Sequence, residues 1–108
     1  MINILLVCSA GMSTTMLVNR MKESAAEKNI KANIWSVEDA NYPNEVEDAY
    51  IILLGPQVRF FANKMKVLVG DKAPVELIEM SIYGSMNGEA ALDKALTVLD
   101  EFNEKKNS

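Results

Sequence analysis

The chain contains one cysteine and no histidine, so covalent chemistry on its own groups falls to Cys8 or to hydroxyls and carboxylates. Cys8 closes the apolar run Ile4-Leu5-Leu6-Val7 and opens the segment Cys8-Ser9-Ala10-Gly11-Met12-Ser13-Thr14-Thr15, where small and hydroxylic residues precede a helical pattern. A strand that ends in such a loop and turns into a helix aims successive unpaired N–H groups at a common centre, and the helix dipole favours an anion there. The hydroxyls of Ser9, Ser13, Thr14 and Thr15 add donors or cap the helix. The same field favours a thiolate, which makes Cys8 a candidate nucleophile, and a phosphorylated Cys8 would keep its acceptor oxygens within the loop. A cysteine ending a core strand is also a common packing residue, and serines and threonines at such places are common caps. Spacing alone leaves both readings open.

Other chemistries are excluded more directly. The absence of histidine removes Ser-His-Asp triads, Cys-His pairs and the commonest metal ligand. Gly11 is not followed by the Gly-Lys of a Walker loop, the three spaced glycines of a dinucleotide fingerprint are missing, and no second cysteine completes a C-x-x-C pair. No metal and no cofactor are therefore expected. Eleven basic against fifteen acidic residues, net −4, oppose a nucleic-acid partner. The apolar runs at 4–8 and 49–54 are too short to cross a bilayer, and no basic region precedes the first. The expectation is a cytoplasmic chain with no direct membrane insertion, its thiol suited to a reducing compartment.

The elements that must position Cys8 follow from periodicity. Ile2 to Cys8 and Tyr50 to Leu54 are nearly continuous apolar runs, as in strands buried on both faces. Ile30 to Val37 and Val75 to Ile78 carry interleaved polar residues and read as outer strands. Thr14, Leu17, Val18, Met21 and Ala25 line one stripe of a helix over Ser13 to Lys28. A second helical pattern, Val58, Phe61, Met65 and Leu68, stops at Gly70, expected to be left-handed. A third joins Leu92, Ala95, Leu96, Leu99 and Phe102. Glu38 to Asp48, interrupted by Pro43, allows at most a short helix in a crossover. These imply one α/β domain over 1–103 with a frayed polar tail at 104–108. Its four-stranded parallel sheet has order 2-1-3-4 and helices on both faces. The ligand crevice is expected beyond the carboxyl ends of strands one and three, where the Cys8 loop meets Gly55-Pro56-Gln57. Gln57 is either a donor to a ligand or part of a turn. Tyr83 either lines the crevice or packs in the core, with packing favoured. Met12 and Met16 either form an adaptable docking surface or lie under the first helix, and burial is favoured for Met16.

Cys8-Ser-Ala-Gly-Met-Ser-Thr at a strand end, with Leu53-Leu54-Gly55-Pro56-Gln57 at another and Tyr83-Gly84 beyond, resembles enzyme IIB of the lactose/cellobiose-type sugar phosphotransferase system over nearly the whole chain. The resemblance implies that Cys8 accepts a phosphoryl group from a phosphohistidine of enzyme IIA. Cys8 would then pass it to a sugar, such as cellobiose, chitobiose or lactose, carried by the membrane component IIC. It also implies that Ser9 through Thr15 cradle the phosphate. The family fold resembles that of low-molecular-weight tyrosine phosphatases, whose loop reads C-x5-R-[ST]. Here Thr14 stands six residues after Cys8, so the clamping arginine is missing, which favours transfer over hydrolysis. A non-covalent anion-binding module is the remaining alternative.

Overall fold

The computed structural model describes residues 1–9, 12–38 and 46–107, with the side chains of residues 12, 13 and 107 left aside. The strands β1 (Ile2–Cys8), β2 (Ala32–Glu38), β3 (Ile51–Leu54) and β4 (Val75–Leu77) form one parallel sheet. Its order is β2-β1-β3-β4, as the alternation of strands and helices predicts. The helices are α1 (Met12–Glu27), α2 (Ala62–Val69), α3 (Met80–Gly84) and α4 (Gly88–Asn107).

The two central strands are buried from both sides because every residue from Ile4 to Val7 and from Ile51 to Leu54 is apolar. Ile4, Leu6, Ile51 and Leu53 meet Leu17, Val18, Met21 and Ala25 of α1 and Ala91, Leu92 and Ala95 of α4. Leu5, Val7, Ile52 and Leu54 face the opposite way, onto Val58, Met65 and Val69. Side chains alternate across a strand, so Cys8 shares the α1 face with Ile4 and Leu6.

Several expectations are corrected. The segment after Pro56 is a 3-10 turn over Pro56–Phe61, broken at Val58 (φ −118°, ψ 23°), before α2 begins. Within α2 it is Val69 that is buried, while Leu68 points outward. Gly70 ends α2 with φ 56° but ψ −129°, a backbone reserved to glycine though not left-handed helical. Met16 is half exposed and does not lie beneath its helix. Helix α4 continues through Asn107, past the polar stretch at which fraying was expected, and it begins four residues before Leu92. The expected crossover helix falls mostly outside the described residues, leaving a 3-10 turn at Val46–Asp48.

The start of α4 is set by Asn87, whose Oδ1 accepts a hydrogen bond from the Ala90 N–H at 3.0 Å, a side-chain cap of an otherwise orphaned donor. Gly88 follows because α1 crosses there at backbone contact. A Cβ at Gly88 would stand 2.4 Å from the carbonyl carbon of Arg20 and 2.6 Å from the amide nitrogen of Met21. Gly88→Ala should therefore push α1 and α4 apart and lower stability by about 2 kcal/mol, read as a lower midpoint in urea denaturation. Farther along the same interface, Lys28 Nζ donates to Asp93 Oδ1 at 2.8 Å. That hydrogen bond holds the ammonium protonated above its ordinary value of 10.5. The pair's stabilising contribution is thus fully present below that value and is lost as pH rises through the folded one. The stability difference between the native chain and Lys28→Met should shrink from neutral to strongly alkaline pH, as denaturation at both would show.

Candidate functional site

Cys8 ends β1, and the chain must turn at once into α1 to bury the Leu17 stripe over the same sheet face. This brings the third residue of α1, Thr14, back onto the cysteine, with Cys8 Sγ and Thr14 Oγ1 2.6 Å apart. Thr14 Oγ1 lies 3.0 Å from the Tyr83 hydroxyl. The three residues are buried, at 3%, 3% and 6% exposure, and form a continuous hydrogen-bonded chain from sulfur to phenol. The hydroxyl of Thr14 is thus a bridge within the site and not a solvent-facing cap.

Tyr83 arrives from the far edge of the sheet. The Ile78 N–H donates to the Leu54 carbonyl at 2.8 Å, tying the end of β4 to that of β3. Helix α3 then turns the ring back over Cys8. Tyr83 packs in the core and reaches the sulfur through the Thr14 hydroxyl. Gly55 completes the arrangement. Its N–H donates to the Val7 carbonyl at 3.0 Å. A Cβ there would lie 2.9 Å from Gln57 Oε1, 3.2 Å from Cys8 Cβ and 3.5 Å from Tyr83 Cε2. A side chain at Gly55 would crowd the cysteine, and the motif Leu-Gly-Pro-Gln carried that signal.

A cleft of about 170 Å³ opens beside the sulfur, lined by Cys8, Ser9, Thr14, Thr15, Ser36, Val37 and Glu38. It lies between the carboxyl ends of β1 and β2, on the other side of β1 from the crevice expected between the first and third strands. Gln57 is exposed and does not line it, and neither does Tyr83. Ser36 and Glu38 belong to the cleft because parallel pairing sets Cys8 beside Glu38. Their neighbourhood was readable only once that register was known. Ser9 and Thr15 line this cleft. Met12 and Ser13 contribute the first turn of α1, while Ala10 and Gly11 lie outside the described residues.

A four-stranded parallel α/β domain that sets a cysteine at the end of a central strand, against the first turn of a sixteen-residue helix, is the class this geometry defines. The same fold occurs in the lactose-specific IIB component domain of the phosphotransferase system from Streptococcus pneumoniae. That chain superposes with a TM-score of 0.81 at 20% identity, covering 90% of this chain and 96% of its own. The solution structure of the cellobiose-specific IIB component from Borrelia burgdorferi matches with a TM-score of 0.76 at 40% identity, over 93% of each chain. In sequence, the oligo-beta-mannoside-specific EIIB component of Bacillus subtilis is 36% identical, covering 89% of this chain and 94% of its own. Residues 3–94 match the family described as PTS system, Lactose/Cellobiose specific IIB subunit. The chain belongs to this lactose/cellobiose IIB family, whose members are phosphotransferase components of sugar transport.

The Cys8-Thr14-Tyr83 chain makes a quantitative prediction. Thr14→Val removes a hydroxyl shared by two buried partners and should cost about 1–3 kcal/mol, while Tyr83→Phe should cost about 1 kcal/mol. Because both changes break one contact, the double variant should lose less than the sum, as a double-mutant cycle in urea would measure.

Proposed function

We propose that Cys8 is the phosphoryl acceptor and donor of a cytoplasmic sugar phosphotransferase relay, receiving from a phosphohistidine of enzyme IIA and delivering to a sugar bound by the membrane component IIC. The observation that carries this reading is the placement of Cys8 Sγ against the first turn of α1, 2.6 Å from Thr14 Oγ1. The N–H groups and dipole of that turn stabilise negative charge on sulfur and on a bound phosphoryl group.

In the first transfer the Cys8 thiolate attacks phosphorus. The S–P bond forms, the N–P bond breaks, and the imidazole leaves with its electron pair, to be protonated at nitrogen. In the second transfer a sugar hydroxyl attacks the same phosphorus, the S–P bond breaks, the thiolate is restored, and the hydroxyl proton passes to a base. Positioning and electrostatics supply most of the catalysis in such steps. In this reading the loop from Ser9 to Thr15 cradles the phosphoryl group, and Ser9, Thr14 and Thr15 line the cleft beside the sulfur. Thr14 holds the sulfur in register, and Tyr83 holds Thr14.

The position six residues after Cys8 carries the uncharged Thr14, where a phosphatase loop of this fold has arginine. Without a guanidinium to stabilise the charge of a hydrolytic transition state, the phosphocysteine persists long enough to meet its second partner. Relatives in the family are specific for oligo-beta-mannosides, galactose and cellobiose. Two of these three are beta-linked oligosaccharides, and a beta-linked disaccharide is the substrate class we assign.

Incubation with phosphorylated IIA should add one phosphoryl group to the intact mass, lost on adding IIC membranes and the cognate sugar. Cys8→Ala should show no gain. A gain that persists in Cys8→Ala would refute the cysteine assignment. Hydrolysis of an aryl phosphate by the chain alone would refute the carrier role.

A further inference from the structure

We propose that the outer face of the segment Pro56 to Lys72 is a docking surface for an anionic lipid bilayer. This segment, the 3-10 turn and α2, is apolar on two sides. Val58, Met65 and Val69 are buried against the sheet, while Phe60, Val67 and Leu68 remain 72%, 84% and 50% exposed. A helix needs only one apolar stripe to join a core, so the second stripe is surplus to folding. Within α2, Lys64, Val67 and Leu68 recur at one-turn spacing and are exposed, as is Phe60 in the turn before it.

The charge of the segment has the opposite sign to that of the protein. Arg59, Lys64, Lys66 and Lys72 stand against the single acid Asp71, net +3 in a chain of net −4. All four basic residues are exposed. Among the described residues none of the four forms an ion pair, whereas Lys28 and Lys94 do. Lys64 Nζ instead lies 5.8 Å from the centre of the Phe61 ring.

Val67 protrudes from the outside of α2, and Phe60, exposed in the turn before it, stacks on Phe61 with ring centres 4.8 Å apart. Apolar side chains spread between lysines over an outer surface suit a deformable interface better than a fixed protein groove. An apolar stripe interleaved with lysine is the composition of helices that lie in the headgroup region, with each basic residue adding electrostatic attraction to acidic lipid. The segment also leaves the sheet edge that carries Cys8, one residue after Gly55, so docking would hold that edge near the bilayer. The inference stands on these observations alone and does not depend on the phosphoryl relay.

The test is cosedimentation of the full chain with vesicles of equal parts phosphatidylglycerol and phosphatidylcholine, against vesicles of phosphatidylcholine alone. Partition onto the anionic vesicles should be stronger by roughly tenfold or more at low salt, and should fall as salt rises. Lys64→Gln and Lys66→Gln should each weaken it about fivefold. Val67→Glu should abolish it, and Lys22→Gln on α1 should leave it unchanged. All four positions are exposed, and unchanged urea midpoints would establish that the variants fold. Equal partition onto both vesicle types, no partition, or indifference to Val67→Glu would each overturn the proposal. Self-association that Val67→Glu removes would reassign the face to a second copy of the chain. Tighter binding to polyglutamate than to vesicles would reassign it to an acidic protein.

Discussion

Ile4, Leu6 and Cys8 occupy one face of β1 and Leu5 and Val7 the other, and all five are buried. A strand clamped between two apolar layers cannot slip, because a shift of one residue would exchange the two sets of side chains. The placement of the thiol therefore rests on the hydrophobic register of the sheet and owes little to the loop that follows. Given that register, the helix after Cys8 must fold back over the same face to cover Ile4 and Leu6. Thr14 then meets the sulfur as a consequence of core packing.

Thr14 is the point at which structural and chemical demands coincide. A hydroxyl buried at 3% exposure needs a partner, and it has two, Cys8 and Tyr83. Either neighbour can be donor or acceptor, so the chain accommodates a change in sulfur charge by turning hydroxyl protons without moving heavy atoms. A valine would fill the space and lose that adaptability. An arginine would overfill it. The uncharged bridge is thus favoured by the packing as well as by transfer chemistry.

Much of this was legible in the residues, and the reason is locality. The strands, their order and the α1 stripe follow from apolar patterns within a few residues, and Cys8 lies where such a pattern ends. What was hidden depends on contacts between distant segments. Tyr83 joins Thr14 across sixty-nine positions, and nothing within the Tyr83-Gly84 neighbourhood reports that distance. Ser36 and Glu38 enter the cleft through the pairing of β1 with β2. The tight crossing at Gly88 required knowing that α1 passes there. The misreadings at Met16 and Leu68 share a different cause. Where a helix is apolar on more than one side, periodicity cannot say which side meets the sheet. Both residues are half exposed, and it is Val69 that is buried in α2.

Burial of Cys8 has its own consequence for the proposed relay. At 3% exposure the sulfur meets little bulk water, and the adjacent cleft of about 170 Å³ is small beside the surface hollow of about 600 Å³ between α1 and α4. A small recess of this kind would leave less room for water beside a phosphorylated sulfur, and burial strengthens the electrostatic hold of the α1 terminus by lowering the local dielectric. In the proposed relay, loss of phosphate to water and transfer to a partner are then separated by access, the partners presenting their reacting atoms at the cleft that Ser9, Thr15 and Glu38 help to line. The proposed carrier needs that separation, because its phosphorylated form must survive the interval between two encounters, and a thiol buried at the end of a central strand suits that need without any additional catalytic group.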